Sequence, residues 1–100
     1  DVDDGATPAR ATLPLAAAPN PFNAGTELRF TLPADAIYDI TVHDAAGRLV
    51  RTFHGLGREG ANALRWDGRD DEGRNAASGV YHYRLKADGR EAVGKMMLVK

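Results

Sequence analysis

The sequence predicts an all-β fold, an antiparallel sandwich of about seven short strands, and three observations carry that reading. Apolar residues alternate with polar ones over runs of five to seven residues, the period of a strand with one face buried. Gly, Asp, Asn and Pro separate those runs at close intervals. No stretch long enough for a helix keeps a 3.6-residue period; Ala16-Ala17-Ala18 has the propensity, but Pro14 and Pro19 bracket it too tightly.

Each element follows in order. Residues 1–11 are small and acidic, show no apolar period and read as a linker ahead of a domain spanning 12–100. A first strand is expected near Leu13 to Ala17. Glu27 to Leu32 alternates strictly, with Leu28, Phe30 and Leu32 on one face, and Pro33 stops it. Tyr38, Ile40 and Val42 form the next inward stripe. Asp44-Ala45-Ala46-Gly47 follows as a turn, Asp bonding its own backbone and Gly supplying positive φ.

Arg48 to His54 resumes as a strand, but Leu49, Val50 and Phe53 do not fall on one face, so a bulge or an edge position is expected. Asn62 to Trp66 turns Leu64 and Trp66 inward. Asp67 to Gly79 is the longest loop. Val80 to Lys86 buries Tyr81, Tyr83 and Leu85, Asp88-Gly89 is a two-residue hairpin signal, and Glu91 to Lys100 returns, with Met96-Met97-Leu98-Val99 expected to feed the core. Seven strands of this kind are the count of an immunoglobulin- or fibronectin-III-like sandwich.

Composition narrows the function classes. The net charge is −1, with 13 Lys and Arg against 14 Asp and Glu, so no strong field favours nucleic acid or an anionic membrane. Arg48, Arg51, Arg65, Arg69, Arg74, Arg84 and Arg90 are interleaved with acidic residues and lack the aromatic spacing that stacks bases. Without cysteine there are no disulfides, thiolate chemistry or cysteine-based zinc sites. No apolar run approaches the ~20 residues of a membrane span, and the acidic start is not a signal peptide, so a signal for export is expected upstream on a longer chain.

The candidate sites are few. Asp67, Asp70 and Asp71, in an acidic loop with Gly68 and Gly73, could offer oxygens to calcium. Arg69 puts a positive charge among them, however, and the spacing is not that of an EF-hand, so the carboxylates are expected to close turns over loop amides instead. His43, His54 and His82 sit on three different strands with no close sequence spacing to prefigure a metal site. Ser78 lacks the glycine framework of a hydrolase nucleophile. Gly55-Leu56-Gly57-Arg58-Glu59-Gly60 matches a dinucleotide-binding string, but a strand pattern follows where a helix is required, and a hairpin loop is expected. Glycan binding would need exposed aromatics, and only Phe22, Phe53 and Tyr38 are free for it. No catalytic residue, cofactor or metal is assigned.

Ala18-Pro19-Asn20-Pro21-Phe22-Asn23, His43-Asp44 with Gly47-Arg48-Leu49-Val50-Arg51-Thr52, Trp66-Asp67-Gly68-Arg69-Asp70-Asp71-Glu72-Gly73, Ala77-Ser78-Gly79-Val80-Tyr81-His82-Tyr83-Arg84-Leu85 and Lys95-Met96-Met97-Leu98-Val99-Lys100 together resemble one family. It is the immunoglobulin-like domain named after the flagellar hook-capping protein, which overlaps with the C-terminal sorting domains of type IX secretion. The likeness runs from about Pro19 to Lys100 and rests on the order and spacing of the pieces. It implies a β-sandwich at the C-terminus of secreted bacterial enzymes and surface proteins, non-catalytic, outside the cell or on its surface, and working in export, attachment or spacing; a monomer is expected. No hook-cap assembly segment precedes it here, so a flagellar role is not expected. The partners implied are upstream domains of the same polypeptide and the secretion or surface-attachment machinery. The competing reading is a glycan- or calcium-binding sandwich appended to a secreted enzyme. The motif residues have structural work of their own. Pro19 and Pro21 hold the chain extended around Asn20. Trp66 covers one end of the core, and Gly79 lets the backbone bend into a strand.

Overall fold

In the computed structural model, residues 15–19, 21 and 25–99 are described. The expected linker, and Pro14, Asn20, Phe22, Asn23 and Lys100, lie outside them. The chain forms β1 (Leu15–Ala18), β2 (Thr26–Leu32), β3 (Ala36–Asp44), β4 (Leu49–Gly57), β5 (Gly60–Trp66), β6 (Gly79–Ala87) and β7 (Arg90–Leu98). Two antiparallel sheets result, one in the order β1-β2-β5 and the other in the order β4-β3-β6-β7. Among the described residues this is the expected immunoglobulin-like sandwich of seven strands.

Strict alternation in the sequence becomes strict alternation of burial. Leu28, Phe30 and Leu32 of β2, Ile40 and Val42 of β3, Trp66 of β5, Tyr81, Tyr83, Leu85 and Ala87 of β6, and Met96 and Leu98 of β7 meet between the sheets. Thr26 is the one buried polar residue among the described residues. Thr26 Oγ1 donates to Pro19 O at 2.8 Å, which satisfies it and ties the segment after β1 to the core. The Ala18–Pro19 peptide there is cis.

Two expectations need correction, and a third is met. Met97 and Val99 are 44% and 46% exposed, so only Met96 and Leu98 of the four apolar residues near the C-terminus enter the core. The period of two makes this unavoidable, because neighbours on a strand face opposite ways. Second, Gly55 to Gly60 is not a hairpin loop: Gly55 and Gly57 belong to β4, Gly60 opens β5, and β4 and β5 lie in different sheets. Arg58 and Glu59 carry the chain across. Asn62 braces this link by accepting from Arg58 N at 3.0 Å, and Asp35 accepts from Glu59 N at 2.7 Å. Third, β4 has both features that its irregular pattern suggested. It is an edge strand, and its register against β3 slips by one residue as Val42 pairs with Arg51 but His43 with Leu49.

Two strand glycines make room for rings. Gly55 stands opposite Tyr38 and Gly94 opposite Tyr83. A Cβ on Gly94 would lie 2.5 Å from the Tyr83 ring and one on Gly55 2.8 Å from the Tyr38 hydroxyl, so both tyrosines lie across a bare backbone.

Candidate functional site

The motif residues gather at one end of the sandwich around two turns of the same local sequence. Asp44-Ala45-Ala46-Gly47-Arg48 joins β3 to β4, and Asp70-Asp71-Glu72-Gly73-Arg74 lies within the long loop between β5 and β6. In the first, Asp44 Oδ1 accepts from Ala46 N at 3.0 Å and Arg48 N at 2.9 Å, while Gly47 N donates to Asp44 O at 2.9 Å. In the second, Asp70 Oδ1 accepts from Glu72 N and Arg74 N, each at 2.9 Å, and Gly73 N donates to Asp70 O at 2.9 Å. Each arginine returns its Nε to the Oδ2 of its aspartate. Gly47 and Gly73 take φ of +88° and +83°, which a side chain would disfavour.

These bonds set the electrostatics. The amide of Arg48, and secondarily its guanidinium and the Ala46 amide, hold the Asp44 carboxyl below the ordinary aspartate range against the opposing effect of burial. The amide of Arg74 does the same for Asp70, helped by the Glu72 amide and the Arg74 charge. Burial, and then the nearby Asp44 carboxylate, pushes the Tyr81 hydroxyl up.

Several contacts pin the long loop to the body, three of them through large side chains. Trp66 is fully buried, its indole N–H donates to Arg69 O at 2.8 Å, and its ring meets Tyr81 edge-on at 5.4 Å. Tyr81 Oη donates back to Ala77 O at 2.5 Å, the tyrosine corner of immunoglobulin-like domains. Arg51 is the third pin. Its Nη1 donates to Asp67 Oδ1 and Arg69 O, each at 3.1 Å, its Nε lies 3.6 Å from Asp71 Oδ1, and its guanidinium covers the Phe53 ring at 4.8 Å. Composition and spacing present Arg51 as one surface cation among many and do not reveal this role. Beyond the bulge Arg51 pairs with Val42 and shares its side of the strand with Phe53.

The calcium candidates are therefore occupied by the protein itself. Asp67 Oδ1 accepts from Arg69 N and Arg51, Asp70 closes its turn, and Asp71 Oδ1 accepts from Thr52 N at 3.0 Å. Among the described residues, no three His, Asp or Glu side chains converge as a metal site. Gly68, with φ of +77°, accepts through its carbonyl from Ala76 N and helps the loop close on itself. The two turns and residues 75–81 border an open cleft of about 520 Å³, which takes in Asp44, Gly79 and Tyr81 but not Trp66 or Lys95.

Elsewhere the remaining candidates disperse. Pro19 and Pro21 are exposed beyond β1, and Lys95 is exposed on the outer face of β7. Ser78 is exposed at the end of the loop. Phe53 lies under Arg51, and Tyr38 is half-buried with its ring edge-on to Phe30 at 5.2 Å, so neither offers a free platform to a sugar. His54 pairs with Asp39 at 2.5 Å. His43 and His82 are direct cross-strand partners, a proximity that sequence spacing could not reveal.

The comparisons agree with this architecture. The sandwich superposes on part of dimeric latent PorU from Porphyromonas gingivalis with a TM-score of 0.73 and 23% identity, over 85% of this chain and 9% of that one. PorZ, a surface component of the type IX secretion system of the same organism, gives 0.60 and 19%, over 87% of this chain and 12% of that one. FlgD from P. aeruginosa gives 0.57 and 22%, over 73% and 58%. The chain thus spans a small part of PorU and of PorZ, and at these identities the likeness is one of fold. No curated protein sequence matches. A family model, the FlgD Ig-like domain, matches residues 18–91, which take in both turns, the Trp66 anchor and the tyrosine corner, and the chain belongs to that family.

Proposed function

We propose that this domain is a non-catalytic module of a larger exported bacterial protein, and that it directs its parent chain to the cell surface through type IX secretion. The observation that carries the reading is the recurrence of this sandwich as a small part of PorU and PorZ, the second of which is itself a surface component of that system. The site chemistry is consistent with it. The motif carboxylates, the indole and the corner tyrosine engage neighbouring groups of the same fold, so their work is to hold a surface in shape for another protein to read. The partners are then the other domains of the polypeptide and the export machinery, and the working location is the periplasm followed by the cell surface.

A fusion tests this. The 100-residue chain, placed behind a reporter carrying a periplasmic signal in a host with type IX secretion, should reach the surface. In a strain lacking the system the same fusion should stay in the periplasm. Retention of a folded fusion in the competent host would refute sorting and leave attachment or spacing. Lys95→Ala, at an exposed position, asks whether the outer face of β7 is read.

A further inference from the structure

The outer face of the β4-β3-β6-β7 sheet carries a histidine pair that the turns and the core do not use. His43 of β3 and His82 of β6 stand directly opposite one another in the antiparallel ladder. Opposed residues on one sheet face have Cβ atoms about 4.5–5.5 Å apart, and each imidazole adds enough reach for two ring nitrogens to meet at one ion, with metal–nitrogen bonds of about 2.0–2.1 Å. Both side chains border the same open surface depression, together with Asp44, Arg84 and Lys95. Neither imidazole is engaged by another group among the described residues, in contrast to His54, which is held by Asp39.

We propose that His43 and His82 form a two-imidazole site for a divalent transition ion of the zinc, nickel or copper class. Neutral imidazole donors without a carboxylate select such ions over calcium and magnesium. The carboxylate that borders the depression is already committed, since both Asp44 oxygens accept from Arg48 and the turn amides. Lys95 stands opposite His82 on β7, and Arg84, bound to Glu91 at 2.8 Å, borders the other side. These cations weaken the site and hold it to modest affinity. Two protein ligands leave positions open to water. A bound ion would bridge the central β3–β6 seam, so binding must also stabilise the fold.

The test uses the untagged chain titrated with Zn²⁺ or Ni²⁺, followed by calorimetry, thermal melting and imidazole NMR shifts. Expected are one ion per chain at sub-millimolar concentration, a rise in Tm with metal, and shifts in the His43 and His82 ring signals but not those of His54. Acidification should weaken binding steeply, because both nitrogens must be unprotonated. His43→Gln and His82→Gln should each weaken binding about tenfold or more while melting like the parent without metal, and His54→Gln should bind unchanged. Absence of binding at millimolar metal, binding that survives the double substitution, or loss on His54→Gln alone would each overturn the site.

Discussion

The two Asp-x-x-Gly-Arg turns make the same hydrogen bonds in different surroundings. At Asp44 to Arg48 the chain enters and leaves through β3 and β4, which pair with each other, so the ladder and the turn enforce one geometry together. At Asp70 to Arg74 no strand pair flanks the turn, and only an isolated bridge between Arg69 and Asn75 closes behind it. The backbone bond of the first turn, Asp44 N to Arg48 O at 3.0 Å, has its counterpart in Asp70 N to Arg74 O at 2.8 Å. Aspartate, glycine and arginine in this spacing therefore specify the turn by local chemistry. What differs is its use. The first reverses a strand, and the second folds the loop back until Asp71 lies on the rim of β4.

The largest effect should come from cutting the second turn's anchor. Trp66→Ala removes the biggest buried side chain and the donor to Arg69 O, and should cost ~3–5 kcal/mol in denaturant unfolding. Trp66→Phe separates the two contributions. It keeps an aromatic ring in the core, and hydrogen exchange should then quicken at the Asp70 and Gly73 amides more than at those of Asp44 and Gly47.

Next in size, Gly47→Ala and Gly73→Ala should each cost ~1–2 kcal/mol through left-handed backbone strain alone, since nothing lies within 4 Å of either added Cβ. Near-equal losses would support the local account. A much larger loss at Gly47 would mean that the ladder, and not the sequence, dictates the first turn.

The smallest effect is the acid limb. Asp44 and Asp70 have carboxyls lowered in the folded state, so their contribution is fully present above the ordinary aspartate value. It is lost as pH falls from that value through the lowered one. Asp44→Asn with Asp70→Asn should flatten the fall of Tm from about pH 5 downward, and unchanged curvature would assign acid sensitivity to other groups.

Much of the fold was legible because alternation and turn chemistry agree. Leu28-Phe30-Leu32 and Tyr81-Tyr83-Leu85 bury as their period requires, and Asp88-Gly89 makes the hairpin with both residues at positive φ. What escaped depends on pairing at long range. Nothing local announces that Arg58 and Glu59 cross between sheets, that Gly94 yields its space to Tyr83, or that His43 meets His82. The candidate site was legible at Asp44, Gly47, Trp66 and Gly73, whose partners lie within a few residues or in the core. It was not legible at Arg51, whose partners are 16 to 20 positions away.

Asp71 has a consequence for a domain displayed at high density. Its amide donates to Val50 O and its carboxylate accepts from Thr52 N, both at 3.0 Å, so one residue fills the place of a neighbouring strand. An uncovered edge is a template on which a second molecule can extend the ladder, and the step repeats into aggregates. The acidic loop denies that template along the first half of β4 and adds a negative charge that repels an approaching carboxylate-bearing chain. Identical domains crowded together can then stay separate molecules.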